Sequence, residues 1–97
     1  MSNEVNVGVP EKFALSQNYP NPFNPSTTIN FDIPKDGKVS LRLYDMSGKE
    51  VATLVNEYKT AGYYSVTFNA ANLSSGVYFY SITANNFTAI KKMMLIK

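Results

Sequence analysis

The side chains of this sequence that could do acid–base or metal chemistry are its carboxylates, since histidine and cysteine are both absent. A glycosidase needs two such groups roughly 5–10 Å apart, and no pair here has a local spacing that predicts one, so that only folding could assemble it. A calcium loop needs several close oxygen ligands, whereas PKDGK (34–38) supplies one carboxylate among lysines. The sequence therefore predicts no catalytic site, no metal site and no cofactor. The carboxylates are Glu4, Glu11, Asp32, Asp36, Asp45, Glu50 and Glu57.

The sequence also lacks the residues that usually carry out nucleophilic catalysis and phosphate binding. No glycine-rich phosphate loop is present, and no histidine is available to activate a serine. The absence of cysteine excludes disulfides, which fits a reducing cytosol and fits equally an exported bacterial domain that relies on its core. We therefore predict that the chain is not an enzyme and that it works through a surface.

The segment that most clearly suggests a binding surface is KKMMLIK at 91–97, named here the basic tail. Residues 58–97 contain four lysines and no acidic residue, although the net charge of +2 is too small to predict binding to nucleic acid or an anionic membrane. The tail fits a terminal strand whose lysines suppress edge-to-edge pairing. It equally fits a recognised tag whose basic groups meet an acidic receptor. Alternation leaves its inward side undecided, since Lys91 shares a side with Met93 and Leu95, and Lys92 with Met94 and Ile96.

A second feature is YPNPFNPST at 19–27, which holds three of the five prolines. Each proline fixes its own φ and moves the preceding residue out of the helical region, so this stretch is extended or turned. It is typical of a rigid lead-in to the first strand of a domain. The more specific alternative is a proline-rich ligand that binds an aromatic groove of a partner protein.

These features are positioned by strands, since apolar residues recur at every second position after residue 26. The strands predicted by alternation lie at 27–34, 39–45, 51–55, 63–69, 77–84 and 87–97, with a polar connection at 56–62. Gly48 and the pair Asn85–Asn86 have the residue types of tight turns. The inward side chains predicted are Ile29, Phe31, Ile33, Val39, Leu41, Leu43, Tyr64, Val66, Phe68, Tyr78, Tyr80 and Ile82.

Short strands with a turn every eight to twelve residues predict an all-β antiparallel sandwich of about seven strands. The 97 residues are enough for one domain, which we place at 13–97, with a flexible leader or linker remnant at 1–12. The start has no secretory signal, and no apolar run is long enough to cross a bilayer. It resembles the beginning of an excised piece of a longer protein, or of a short natural one.

The composition alone is also compatible with two other roles, a carbohydrate-binding module and a self-associating scaffold. Exposed tyrosines could stack on sugar rings, as in a carbohydrate-binding module appended to a secreted enzyme. Tyr64, Tyr78 and Tyr80 are predicted core residues, however, and no tryptophan is present to build a flat platform. A scaffold that self-associates through the terminal edge strand is a further alternative, although we expect a monomer.

Five segments follow one another along the chain: LSQNYPNPFNPSTTINFDIP (15–34), GKEVATLV (48–55), AGYYSVTF (61–68), LSSGVYFYSI (73–82) and KKMMLIK (91–97). In this order they closely resemble the type A C-terminal sorting domain of the type IX (Por) secretion system, over roughly residues 13–97. The resemblance implies an immunoglobulin-like β-sandwich at the C-terminus of large secreted proteins of Bacteroidota and related bacteria. A similar fold in a flagellar hook-capping protein keeps a scaffolding role open.

The resemblance also implies a route and partners. The cargo, covalently upstream, enters the periplasm by its own N-terminal signal and then crosses the outer membrane to the cell surface or the extracellular space. The implied partners are components of the type IX translocon and a sortase-like protease that removes the domain or exchanges it for an anchor. Neither nucleic acid nor membrane insertion is implied.

Carried over by position, the family's motifs fall on two groups of residues. The first, named here the proline–asparagine segment, consists of Asn18, Tyr19, Pro20, Asn21, Pro22, Phe23, Asn24 and Pro25. The second, expected to be recognised by the translocon and protease, consists of Gly76, Tyr78, Lys91, Lys92, Met93, Leu95 and Lys97. We expect the basic strand and its apolar neighbours to complement an acidic groove of the receptor. Each exposed charge pair contributes only about 0–1 kcal/mol, so binding also requires buried contacts along the strand.

Overall fold

The computed structural model describes residues 9–97, so most of the predicted leader at 1–12 lies outside the described residues. Its last four residues, 9–12, form no strand, although Pro10 is buried. No helix among the described residues is long and apolar enough to cross a membrane.

Within residues 9–97, seven antiparallel strands form two sheets that pack face to face, which confirms the predicted all-β sandwich. The smaller sheet has the order β1-β2-β5 and the larger has the order β4-β3-β6-β7. The strands are β1 (Ala14–Leu15), β2 (Ser26–Ile33), β3 (Gly37–Tyr44), β4 (Glu50–Lys59), β5 (Gly62–Asn69), β6 (Gly76–Ala84) and β7 (Phe87–Leu95).

The core lies between the sheets and is built from the alternate residues that the sequence predicted. Side chains of β2, β3 and β6 at the predicted inward positions are buried, whereas those of β5 are half-buried because β5 is an edge strand. Tyr80 and Phe31 are the largest fully buried side chains. Each buried large apolar residue contributes roughly 1.5–3 kcal/mol by leaving water, so the inward faces of these strands hold the sheets together.

The predicted polar connection at 56–62 is wrong over most of its length, because β4 continues to Lys59. Its residues 55–59 pair in register with residues 37–41 of β3. Backbone hydrogen bonds to β3 satisfy this stretch, and an edge strand needs few buried side chains, so its polar composition is compatible with a strand. Two β-bulges in the β3–β4 pairing let the longer strand follow its partner.

The turns follow the residue types that predicted them. Gly48 has φ 89° and Asn85 has φ 52°, both in the left-handed region where glycine and asparagine are tolerated. Gly37 lies close to the same turn: a Cβ there would lie 2.6 Å from the side-chain oxygen of Asn85, so a larger residue would force that exposed side chain to move. The link that contains Asp36 carries the chain from one sheet to the other, and the Asp36 carboxylate accepts a hydrogen bond from the amide of Ala61 at 2.8 Å.

Candidate functional site

The last strand divides its side chains into a buried and an exposed series, which alternation alone left undecided. Met93 and Leu95 are 0% and 1% exposed, and Lys91 on the same side is half-buried. The opposite side carries Lys92 and Met94, both exposed. Because β7 anchors one series in the core, it holds the other series in fixed positions on the outer face of the larger sheet.

The end of the basic tail lies against the link between β5 and β6. The Lys97 amide donates to Ser75 Oγ at 3.0 Å, and Lys97 Nζ donates to the carbonyl of Ala71 at 2.6 Å. Lys97 nevertheless stays exposed, as does Lys92. Neither lysine forms an ion pair with another residue of 9–97. Both positive charges are therefore accessible to a partner.

The proline–asparagine segment covers the outer edge of the C-terminal half of β7. Phe23 forms a parallel bridge with Leu95, donating its amide to the carbonyl of Met94 and accepting from the amide of Ile96, both at 3.0 Å. Asn21 Oδ1 accepts a hydrogen bond from the Met94 amide at 2.9 Å. The backbone of the tail is thus already paired, so a partner that reads residues 94–96 must contact side chains on the face of the sheet.

A buried polar network holds this segment in place. Asn18 is 2% exposed and donates its amide to Thr27 Oγ1 at 3.0 Å and to the carbonyl of Pro20 at 3.1 Å. Thr27 Oγ1 in turn donates to the same carbonyl at 2.9 Å. The buried side chain of Phe23 anchors the other end of the segment in the core.

The other predicted residues of the segment are placed on its surface: Tyr19, Pro20, Asn21, Pro22 and Asn24 are exposed, and Pro25 is half-buried. The segment therefore combines two internal anchors with an exposed outer surface.

Gly76 and Tyr78 lie beside the tail rather than on the exposed series. They pair with Leu95 and Met93, and Tyr78 is buried with its hydroxyl donating to the carbonyl of Ser74 at 2.7 Å. Gly76 has φ 152°, a conformation that side chains rarely adopt, although a Cβ there would meet no atom within 4 Å. Both residues shape the strand that supports β7.

A neighbouring buried tyrosine ties the larger sheet to the residues that precede the proline–asparagine segment. Tyr80 donates its hydroxyl to the carbonyl of Ser16 at 2.7 Å. Burial raises the pKa of Tyr80 to about 12 because the charged phenolate is disfavoured away from water. This tyrosine stays neutral, and we assign it a structural role.

The outer face of the larger sheet carries an open groove that sequence reasoning missed. It has a volume of about 620 Å³, with Phe79 and Ser81 of β6 among its lining residues. Tyr44 and Met46 line it on the β3 side, and Ile90 lines it on the β7 side. Met46 and Ile90 are 72% and 64% exposed. The one available signal was the apolar run at 77–80, which places apolar residues on both sides of β6.

A smaller hollow of about 310 Å³ shares Asp45, Met46 and Ser47 with this groove and extends to Gly76. One oxygen of the Asp45 carboxylate is already occupied, since Oδ1 accepts from the Ser47 amide at 2.9 Å, from Ser47 Oγ at 2.6 Å and from the Lys49 amide at 3.1 Å. These donors, the Ser47 side chain first, lower the pKa of Asp45.

The two outer faces of the sandwich differ in chemistry. On the smaller sheet the outward positions are polar: Thr28 and Thr67 face each other with their hydroxyls 3.2 Å apart, and Asn30 pairs with Ser65. The larger sheet instead presents apolar residues beside lysines. Of the described residues 9–97, no group of three His, Cys, Asp or Glu could hold a metal ion.

The exposed tyrosines are spread over separate surfaces. Tyr58 lies on the larger sheet opposite Lys38, Tyr63 lies on the smaller sheet opposite Asp32, and Tyr19 lies in the proline–asparagine segment. A sugar-binding platform needs aromatic rings side by side on one surface, so this arrangement does not favour the carbohydrate-binding alternative.

Comparison with known proteins identifies a family and a solved structure with a similar fold. A sequence model of the family described as "Secretion system C-terminal sorting domain" matches residues 17–97. The crystal structure of dimeric latent PorU from Porphyromonas gingivalis contains a similar fold, with a TM-score of 0.66 and 17% identity over 88% of this chain. The chain spans only 9% of the length of that protein, and at this identity the likeness concerns the fold alone. No curated protein matches the sequence.

Proposed function

Because this chain belongs to the family of secretion system C-terminal sorting domains, we propose that translocon components read the outward side chains of its basic tail. Domains of this family are sorting signals for type IX secretion, and they direct a cargo protein across the outer membrane to the cell surface or the extracellular space. The cargo would lie covalently upstream of residues 13–97 and pass through the periplasm on its way.

One observation carries this proposal: β7 buries Met93 and Leu95 while it presents Lys92 and Met94 on a rigid sheet. A partner can reach the two exposed charges of Lys92 and Lys97 without unfolding the domain. Met93, Leu95 and Tyr78 would then contribute indirectly, by fixing the position of the strand. Gly76 and the half-buried Lys91 border the surface that is read.

We propose that the proline–asparagine segment has two tasks in this function. It covers the backbone edge of the tail through Asn21 and Phe23, which favours recognition through side chains and a monomeric domain. It also stiffens the chain near the end of the domain that faces the cargo, directly after β1, since each proline removes backbone freedom. A processing protease of the sortase type would remove the domain or exchange it for an anchor.

The proposed chemistry is binding without catalysis. The family's role is that of a signal, and the tail has accessible charges and apolar side chains to offer to a receptor. Exposed ion pairs contribute only about 0–1 kcal/mol each, so the apolar side chains beside the lysines must add to the affinity.

The test is an export assay. Residues 13–97 are fused to a fluorescent reporter that carries its own export signal and are expressed in a bacterium with a type IX system. We expect the reporter on the cell surface or in the medium, and we expect it to stay in the periplasm when the translocon is inactivated or the domain is omitted. A reporter that stays in the periplasm with the intact domain attached would contradict the proposal.

A further inference from the structure

The groove on the outer face of the larger sheet has the shape and chemistry of a peptide-binding site. Tyr44, Phe79 and Lys92 lie in one row across three strands, and Ser81 and Ile90 are neighbours in the next row. The row therefore runs from the ring of Tyr44 across the ring of Phe79 to the exposed ammonium group of Lys92, which flanks the groove. Such an array can bind one apolar side chain and one carboxylate at the same time.

The charges around the groove determine which charge a bound partner can carry and where. Asp45 contributes one negative charge on the wall next to Met46, but its Oδ1 is filled by three donors from its own turn. Lys92 does not line the groove itself, but it pairs with Phe79 at the β7 side, is exposed and forms no ion pair with another residue of 9–97. An incoming carboxylate is therefore favoured near β7 and disfavoured near Asp45.

The same charges argue against a second copy of this chain docked through its own β6–β7 surface. Residues 58–97 contain no acidic residue, so two copies docked through their β6–β7 surfaces would bring lysines together. Like charges that face each other across an interface are strongly unfavourable. The partner is better matched by a different protein that carries acidic residues.

We propose that this groove binds an extended segment of a partner protein in which an aliphatic side chain is followed within two residues by an aspartate or a glutamate. The aliphatic side chain lies over Phe79, between Met46 and Ile90. The carboxylate lies next to Lys92. The inference deepens the proposed sorting function and rests on it, since the secretion machinery would supply the segment.

The edge of β7 explains why the segment lies on the face of the sheet and not beside it. Asn21 and Phe23 fill the outer edge at Met94 and Ile96, and Gln17 Nε2 donates to the carbonyl of Lys92 at 2.6 Å. A strand added along residues 92–96 would have to displace these bonds, whereas a segment over β6 leaves them intact.

The inference is tested on the purified chain with three nine-residue peptides of fixed composition. One alternates leucine and aspartate, one alternates leucine and lysine, and one alternates serine and aspartate. Binding is followed by fluorescence anisotropy and by amide chemical-shift changes. We expect the leucine–aspartate peptide to bind tightest and to shift the resonances of Met46, Phe79, Ser81 and Ile90.

Two variants with a matched control locate the site. We expect Ile90→Ser and Lys92→Glu each to weaken binding of the leucine–aspartate peptide about tenfold, which corresponds to the loss of one apolar contact or one charge pair plus new repulsion. Tyr63→Ser is the control, because Tyr63 is similarly exposed on the opposite sheet. It should leave the affinity unchanged.

Several outcomes would overturn the inference. These are equal binding of the leucine–lysine peptide, unchanged affinity in Ile90→Ser, shifts confined to residues outside the groove, or a dimer of the chain that covers Ile90. The export assay with the unaltered domain is independent of these results. A groove that binds no peptide in a domain that still exports its cargo would refute this inference alone, whereas failed export would refute the sorting function itself.

Discussion

The side chain of Asn21 accepts a hydrogen bond from the backbone amide of Met94 at 2.9 Å, across 73 positions of the sequence. With this contact the segment that follows β1 occupies the C-terminal part of the edge of β7, the last strand. The exposed charges of the tail are consequently presented on a sheet whose edge is already covered at residues 92–96, and this is why we propose that a partner contacts the face of that sheet.

Replacing Asn21 with alanine should open this edge locally. The Met94 amide loses its acceptor, and because the site is exposed to water we expect only about 0.5–1 kcal/mol of lost stability. Hydrogen exchange at the Met94 amide should become clearly faster. Asn24→Ala is the control, since Asn24 is an exposed asparagine of the same segment. Equal exchange at Met94 in both variants would show that Asn21 does not protect the edge.

Two adjacent methionines test the division of β7 into a buried and an exposed series. Met93 is 0% exposed and Met94 is 40% exposed. We expect Met93→Ala to lower the free energy of unfolding by about 2–5 kcal/mol through loss of buried area and cavity formation. Met94→Ala should change it by less than about 0.5 kcal/mol. Urea unfolding measures both changes in the free energy of unfolding. Similar losses of stability in the two variants would mean that the inward and outward sides of β7 are assigned wrongly.

The buried network around Asn18 can be measured with a double-mutant cycle. Asn18→Ala and Thr27→Val each remove one partner of the hydrogen bond between these side chains. We expect each to cost roughly 1–3 kcal/mol, because polar groups that stay behind are buried without a full set of partners. The double variant should cost less than the two together by at least about 0.5 kcal/mol. Strict additivity would mean that the two residues do not interact.

The raised pKa of Tyr80 predicts a loss of stability in base. The folded chain holds the phenol proton up to about pH 12, whereas the unfolded chain releases it near 10. The unfolded state therefore binds fewer protons between these values, and stability falls as the pH rises through this window. At lower pH this contribution is fully present.

Tyr80→Phe removes this titration together with the hydrogen bond to Ser16. We expect a cost of about 1 kcal/mol at neutral pH. The difference in unfolding free energy from the unaltered chain should shrink as the pH rises above about 10. A difference that stays constant with pH would contradict the assigned environment of Tyr80.

Local alternation was sufficient to predict most of the core. Residues such as Ile29, Leu41 and Ile82 recur at every second position with polar residues between them, and each lies on the buried side of its strand. β4 shows where this reasoning fails. Its second half is polar on both sides, yet pairing with β3 keeps it extended, and that pairing is a property of the partner strand.

The site was less predictable than the core because it depends on contacts between distant segments. In β7 the charged Lys91 is on the inward side and the apolar Met94 is on the outward side, so alternation of polarity does not identify the inward side. Only the packing of Met93 in the core identifies it. The groove brings together residues from a turn and three strands. The covering of β7 by Phe23 likewise has no signature in either segment alone.

The central claim is that the exposed lysines of the folded tail are what the secretion machinery recognises. Its most direct test is the export efficiency of the reporter fusion carrying Lys92→Glu and Lys97→Glu, after thermal unfolding has confirmed that the domain still folds. The control is Lys35→Glu with Lys38→Glu, which makes the same charge change at two exposed lysines outside the tail. We predict about a tenfold loss of export for the tail variant, as expected for two exposed charge pairs that become repulsive, and none for the control. Equal export by both folded variants would contradict the claim.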